Sequence, residues 1–337
     1  MNAPARFDHL ISLTDHRGVF EHALHATPRR EHGYCVDDVA RALIVVVRDP
    51  DQGADLAGHA DTYLRFLENA IGEDGLVRNR MDEHGEWSEE PRMGDWWGRL
   101  LWALGTAASH APQPAVRLRA RRAFSRAADR RPADLRTAVF AALGAVHIAY
   151  EHPTDAAAWR LVADLVRAVP STGTAAWPWP EPRLTYANAA IAEALMVSGA
   201  LLRDAPAVER GLELLTFLMS VETSNGRLSV TGSHGRGPGE EGPMFDQQPI
   251  EVAAIADACA RAYTLTRDPR WREGVGLAWS WFIGVNDGNT VMIDHETGAG
   301  FDGLERDGRN ENRGAESTIA ALSTYQHARR LGMSSST

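Results

Sequence analysis

Six stretches of this chain open on a polar residue and run at once into an Ala- and Leu-rich helical pattern. They are "DDVARALIVVV" from Asp37, "DWWGRLLWALG" from Asp95, "DLRTAVFAALGA" from Asp134, "NAAIAEALMVSGA" from Asn188, "QPIEVAAIADACA" from Gln248 and "NRGAESTIAALS" from Asn312. Recurrence at intervals of 39 to 64 residues points to stacked helical hairpins. Between them lie more charged, amphipathic helices: "LAGHADTYLRFLENAI", "AVRLRARRAFSRAADR", "AAAWRLVADLVRAV", "AVERGLELLTFLMSV" and "WREGVGLAWSWFI". Their apolar residues recur at helical spacing, as Leu212, Leu215, Leu218 and Met219 do. The segment from Phe7 to Leu24 is expected to supply one more.

Small residues let neighbours approach a helix from every side, as an inner ring requires. An amphipathic helix suits an outer ring with one wet face. Six inner and about six outer helices make an all-α (α/α)6 toroid, a single domain over residues 1–337. A chain of 337 residues exceeds the roughly 250–300 that one ordinary core serves, and a closed ring accounts for the excess. "GRLSVTG" after "SNG", and "NTVMIDHETGAGFDGL", read as hairpins inserted in loops. Two Gly/Pro-rich loops, 171–182 and 232–243, immediately precede inner helices, so one rim carries long irregular loops.

A net charge of −10 argues against a nucleic-acid partner. All 35 basic residues are Arg, and the run from Arg117 to Arg131 reads as a solvated outer helix. No apolar run approaches the roughly 20 residues that span a bilayer, and the N-terminal stretch has no signal-peptide core, so no membrane partner and a cytoplasmic location are expected. Cys35 and Cys259 make no disulfide framework. There is no HExxH, CxxC pair, phosphate-binding loop, dinucleotide glycine pattern or GxSxG elbow. No cofactor or metal is implied by ligand spacing, although a carboxylate-rich funnel can hold Ca²⁺.

Asp and Asn are preferred helix N-caps, and capping accounts for Asp134. It accounts less well for the adjacent pair Asp37 and Asp38, since a cap needs one carboxylate and a buried pair repels. If all inner helices start at one rim, Asp37, Asp38, Asp95, Asn188, Gln247, Gln248, Asn310 and Asn312 converge on one funnel. Glu251 and Glu316 lie about a turn further in, where a partly dry pocket would raise a carboxyl pKa; a capping box is the bland alternative. Aromatic residues gather at the same rim: Trp96 and Trp97 after Asp95, Trp177, Trp179 and Tyr186 around Glu181, with Tyr34 and His32 beside Asp37. Acidic and amide groups with aromatic faces suit a sugar, whose hydroxyls need acceptors and donors and whose C–H faces stack.

The stretches "LTDHRGVFEHA", "HGYCVDDVARAL", "WPWPEPRLTYANAAIAEAL", "FDQQPIEVAAIADACARAY", "WFIGVNDGN" and "NENRGAESTIA" resemble a bacterial group of (α/α)6 carbohydrate-active proteins, described as glycosyltransferase-like or glycosidase-like. The resemblance runs along nearly the whole chain and implies the fold and a sugar context. One departure stands out: an acidic residue is expected between Tyr186 and Asn188, where this chain has Ala187.

These readings predict a glycan-acting enzyme, foremost a glycoside hydrolase with two carboxylates flanking the scissile bond of an oligosaccharide. Glu251 or Glu181 is the expected acid, with Asp38 as base, Asp37 orienting the water, and Asp95 and Glu316 in reserve. Inversion is preferred by analogy with the fold. Phosphate in place of water would make a phosphorylase, with Arg92, Arg99 and Arg313 as its partners. A sugar epimerase would need a His acid–base pair, which the inner helices do not offer. A terpene-type cyclase fits the amide-rich rim poorly, and a non-catalytic glycan-binding partner of a glycosyltransferase is the reading from another class.

Overall fold

The computed structural model describes residues 5–51, 53–170 and 173–333. Ser171 and Thr172, the start of the first Gly/Pro-rich loop, lie outside the described residues. Six helices form the inner ring: α2 (Val36–Arg48), α4 (Asp95–His110), α6 (Leu135–Glu151), α8 (Asn188–Leu202), α10 (Pro249–Thr266) and α12 (Ala315–Arg330). Each packs on the next, and α12 packs back on α2, so the ring closes. Outside it lie α3 (Ala54–Ala70), α5 (Pro114–Ala127), α7 (Ala156–Ala168), α9 (Ala205–Val221) and α11 (Pro269–Phe282). The fold is the (α/α)6 toroid.

Side-chain caps are found on three outer helices and one inner one, while the outer α3 and α5 have none. The outer helices α7, α9 and α11 are capped by Asp155, Asp204 and Asp268, whose side chains accept a first-turn N–H. Among the inner ones Asp134 caps α6 through Thr137 N at 2.8 Å, as expected. The other five inner helices have no side-chain cap of their own, which frees their polar first turns for other contacts.

The sixth outer helix is shorter than the sequence pattern suggests. Only α1 (Asp8–Ser12) forms between Phe7 and Leu24, and it packs on α12. Asp15 then accepts from Arg17 N and Gly18 N, which turns the chain out of the helix. α12 starts three residues later than the pattern suggests, because Asn312 turns away to bond His25 N.

Among the described residues three two-stranded antiparallel hairpins decorate the loops, β1 (Ala23–Leu24) with β2 (Thr27–Pro28), β5 (Thr223–Ser224) with β6 (Arg227–Leu228), and β7 (Gly303–Glu305) with β8 (Gly308–Asn310), while β3 (Tyr34–Cys35) pairs antiparallel with β4 (Arg80–Met81) across the intervening α2 and α3. The "SNG" hairpin is β5–β6, with Asn225 and Gly226 both at positive φ, as a tight two-residue turn demands. The other expected hairpin reduces to an isolated bridge, Ile293–Gly300, and the regular pairing falls further on, across Arg306–Asp307.

The ring is tightest where α4 crosses α6. A Cβ on Gly144 would sit 2.0 Å from Leu101 O, and one on Gly105 would sit 2.2 Å from Gly144 O. Both obstacles are backbone and cannot yield. Gly144→Ala should therefore destabilise by about 3 kcal/mol, because overpacking outweighs the ~1 kcal/mol gain in helix propensity. Gly58 in α3 has nothing within 4 Å of its Cβ position. Gly58→Ala should show the propensity gain alone, raising stability by up to ~1 kcal/mol. Urea unfolding of the two variants checks the opposite signs.

Candidate functional site

The N-terminal mouth of the ring holds a cleft of about 380 Å³. Asp37, Asp38, Asp95, Gln248 and Glu316 line it, as the convergence of inner-helix starts predicts. The sequence reading missed Glu21, His22, Cys35, Arg41, Arg80, Asp302 and Ser317, which line it too. Arg41 had a signal, lying one turn beyond Asp37 and Asp38 on α2. Glu21, His22 and Asp302 come from loops and had none.

Asp38 is the most deeply held of these acids. Its Oδ1 accepts from Arg41 Nη2 at 2.6 Å and its Oδ2 from Cys35 Sγ at 3.1 Å. Burial pushes its carboxyl up to about 7, against the pull of Arg41. Both oxygens are occupied, so Asp38 serves first to hold Arg41. The same Arg41 nitrogen lies 2.9 Å from Glu316 Oε2. Glu316 differs from Asp38 in keeping 43% of its side chain exposed to the cleft. Its surroundings raise its pKa by desolvation, but Arg41 and Arg99 more than offset this, and the net direction is down.

Asp37 pairs with another cleft arginine, its Oδ1 lying 3.2 Å from Arg99 Nε. Neither atom is hydrogen-bonded. Burial raises the Asp37 pKa, Arg99 and Arg41 lower it, and Asp95 and Glu316 raise it again; the net direction is up. Asp95 accepts from the Tyr186 hydroxyl and, at 3.5 Å, from Thr137 Oγ1. Tyr186 is the rim aromatic that remains well exposed, with Arg136 beneath its ring. Asp302 accepts from Gly314 N at 2.6 Å and Ser317 Oγ at 2.5 Å and so stands in as the cap of α12.

Other expected site residues are placed elsewhere. Glu251 is buried in the wall between α8 and α10 and does not line the cleft. It accepts from Ala187 N, from Asn188 N at 3.3 Å and from Asn188 Nδ2 at 3.1 Å. Ala187 sits at φ 45° before α8 and offers no cap, so Glu251 supplies one from the neighbouring helix. Glu181 bonds Arg136 Nη2 at 2.9 Å, which also holds Thr185 Oγ1 and Asn188 Oδ1; it pins its loop. Gln247 is buried, donating to Asp287 and accepting from Trp281 Nε1. Asn310 closes a local turn onto Asn312 N.

Among the aromatics, Tyr34, Trp97 and Trp179 are fully buried and offer no face to a sugar, which corrects their placement at the rim. Tyr34 stacks on Phe20 and donates to Asp15, Trp97 donates to Gly75 O, and Trp179 packs on Phe217. Trp96 is half-buried and tied to Val77 O. Trp177 lines a separate cavity of about 370 Å³ with Phe217, Arg236 and Glu240. His32 is at the mouth, edge-on to His22 with ring centroids 5.0 Å apart. Of the arginines considered as phosphate partners, Arg92 pairs with Glu89 and Arg313 lies 3.4 Å from Asp294, leaving Arg99 at the cleft.

Glu21, Cys35 and Asp38 each place one ligand-type atom within 4.8 Å of the others. The set suits a metal poorly, since Arg80 already holds Glu21, Arg41 holds Asp38, and burial keeps the Cys35 thiol protonated.

The Glu251 environment makes a testable pH statement. Burial, then the nearby Glu222 charge, pushes its carboxyl up to about 7, and the donors from Ala187 and Asn188 only partly offset this. A carboxyl whose folded pKa lies above its unfolded value favours the folded state at low pH. That contribution is lost as pH rises from about 4.5 to about 7, a change on the order of 3 kcal/mol. Glu251→Gln should flatten the stability–pH slope across that window, measured by chemical unfolding at a series of pH values.

No helix among the described residues is long and apolar enough to cross a membrane. No protein-family model matches the chain, and no curated protein matches it by sequence. Solved structures do match its fold. A sugar epimerase from a ruminal bacterium superimposes with a TM-score of 0.71 at 14% identity, covering 94% of each chain. Cellobiose 2-epimerase from Bacillus thermoamylovorans B4167 gives 0.72 at 11% identity, covering 95% of each. A family 9 endoglucanase, J30, gives 0.61 at 13% identity over 92% of this chain and 73% of that one. At these identities the likeness carries the toroid fold and nothing finer.

Proposed function

We propose that the chain is a carbohydrate-active enzyme, and that it hydrolyses glycosidic bonds with Asp37 as proton donor and Glu316 as the ionised partner. The observation that carries this is a pair of carboxylates lining one cleft whose surroundings displace their pKa values in opposite directions. Such a divergence is how two like groups acquire acid and base roles. Asp37 protonates the departing glycosidic oxygen. Glu316, held on Arg41, takes a proton from the water that attacks the anomeric carbon. Asp38 keeps Arg41 in place. Glu251 and Glu181 do not serve as the acid in this scheme, because neither lines the cleft and both are bonded into α8 and its entering loop. Fold neighbours that include endoglucanases, a cellobiose 2-epimerase and a D-mannose isomerase support a sugar as substrate.

A second reading, epimerisation of a reducing sugar, is favoured by the contact of His22 with His32 at the mouth. The inner helices offer no such pair; His22 and His32 precede α2 in the chain. One experiment separates the two. A panel of oligosaccharides is incubated in D₂O, with new reducing ends assayed and products followed by NMR. Release that Asp37→Asn removes supports the hydrolase. Deuterium entering at C2 without release, and lost in His22→Ala, supports the epimerase. Neither outcome, from folded protein, rejects both. In the hydrolase case kcat/KM should fall on the acid side as Glu316 takes up a proton and on the alkaline side as Asp37 loses one.

A further inference from the structure

The floor of the cleft holds a cation that its own chain leaves without a hydrogen bond. Arg99 is only 6% exposed. Its Nε is buried and ion-paired with Asp37 Oδ1 at 3.2 Å, although neither atom makes a hydrogen bond. Its terminal nitrogens make no hydrogen bond with any described residue. The guanidinium carbon lies over the Phe140 ring, 4.4 Å from the centroid, a cation–π contact that helps hold it. Buried polar groups are almost always satisfied, and an unsatisfied buried cation is costly unless something completes it. The other cleft arginines are already engaged: Arg41 with Asp38 and Glu316, Arg80 with Glu21. Arg99, paired only through Nε, is the cleft arginine whose terminal nitrogens are left for a ligand.

Two features of the cleft choose the ligand. Six carboxyl groups line it against three arginines; with Asp37 holding its proton as the acid and Asp38 pushed up to about 7, the arginines still have no positive surplus to offer a carboxylate or phosphate on the ligand. The planar fork of a guanidinium meets two oxygens side by side, which adjacent hydroxyls supply without charge. Resting on the reading of the cleft as a sugar site, we propose that Arg99 is a specificity-determining residue that seats two neighbouring hydroxyl oxygens of a neutral sugar, and that the cleft selects neutral sugars over acidic or phosphorylated ones. Inorganic phosphate is disfavoured on the same grounds, which sets the phosphorylase variant aside.

The test is calorimetric binding at fixed ionic strength and pH 7, using D-glucose, D-mannose and cellobiose against glucuronate, glucose 6-phosphate and inorganic phosphate. Wild type and Arg99→Lys are compared, with thermal melts of both. The lysine keeps the charge beside Asp37 and removes the fork. The expected result is at least about 10-fold tighter binding of a neutral sugar than of its acidic or phosphorylated counterpart, and about a 10-fold or greater loss in Arg99→Lys with the melting temperature unchanged. Tighter binding of an anion that depends on Arg99 would overturn the proposal and make this an anion site. Unchanged neutral-sugar binding in Arg99→Lys would overturn it too, leaving Arg99 a packing residue and the sugar site standing. No binding of any sugar to folded wild type removes the sugar reading and this assignment with it.

Discussion

Glu316→Gln is expected to lower kcat by about 10³-fold or more while changing stability by less than about 1 kcal/mol. The side chain lies at the wall of the cleft with much of its surface open, and its one close partner is Arg41 at 2.9 Å. Glutamine keeps an oxygen for that contact and removes the negative charge and basicity that an attacking water needs. The loss should therefore appear in kcat and kcat/KM together, with KM little changed, as for an interaction made only in the transition state. Single-turnover and steady-state kinetics on whichever oligosaccharide the panel identifies, beside an unfolding curve, give both numbers. A variant with full turnover would remove Glu316 from the mechanism.

Arg41→Met is expected to cost both activity and stability. Arg41 is buried against Asp38 and holds Glu316 through the same nitrogen. Removing one partner of a buried ion pair typically costs about 3–5 kcal/mol, because the remaining charge is stranded. The stranded group is Asp38, whose carboxyl is already pushed up to about 7. Below that value it can shed the penalty by taking a proton, so the destabilisation should be smaller near pH 5 than near pH 8. The double variant Arg41→Met/Asp38→Asn should recover much of the lost stability and none of the lost turnover. Equal destabilisation at both pH values would show that packing, not charge, sets the role of Arg41.

The sequence made the ring legible because its signals are local. A polar start followed by small apolar residues marks an inner helix whatever it packs against, and the pattern places the starts of α4 and α8 and, within three residues, those of the other four. Asp37, Asp38, Asp95, Gln248 and Glu316 reach the cleft because a ring of like-directed helices must gather their first turns at one mouth. The same reasoning failed for Glu251, Asn188, Asn312 and Gln247. Each stands at or beside an inner-helix start and spends its polar group on a neighbour that is remote in sequence: Ala187 for Glu251, Arg136 for Asn188, His25 for Asn312, Trp281 for Gln247. The aromatics failed similarly, since a Trp beside a rim acid can turn inward, as Trp97 does, or outward.

What the sequence determined by itself is therefore the architecture and the rim on which a site would form, both of which follow from a 3.6-residue period and from helix-start chemistry. What only the tertiary structure decided is which polar side chain is spent on the frame and which is left for a ligand. That depends on contacts between segments 12 to 59 residues apart: Glu21 on Arg80, Asp302 on the start of α12, and Phe140 against Arg99. Burial and charge set those outcomes, and both are sums over neighbours in space, which a local pattern does not contain.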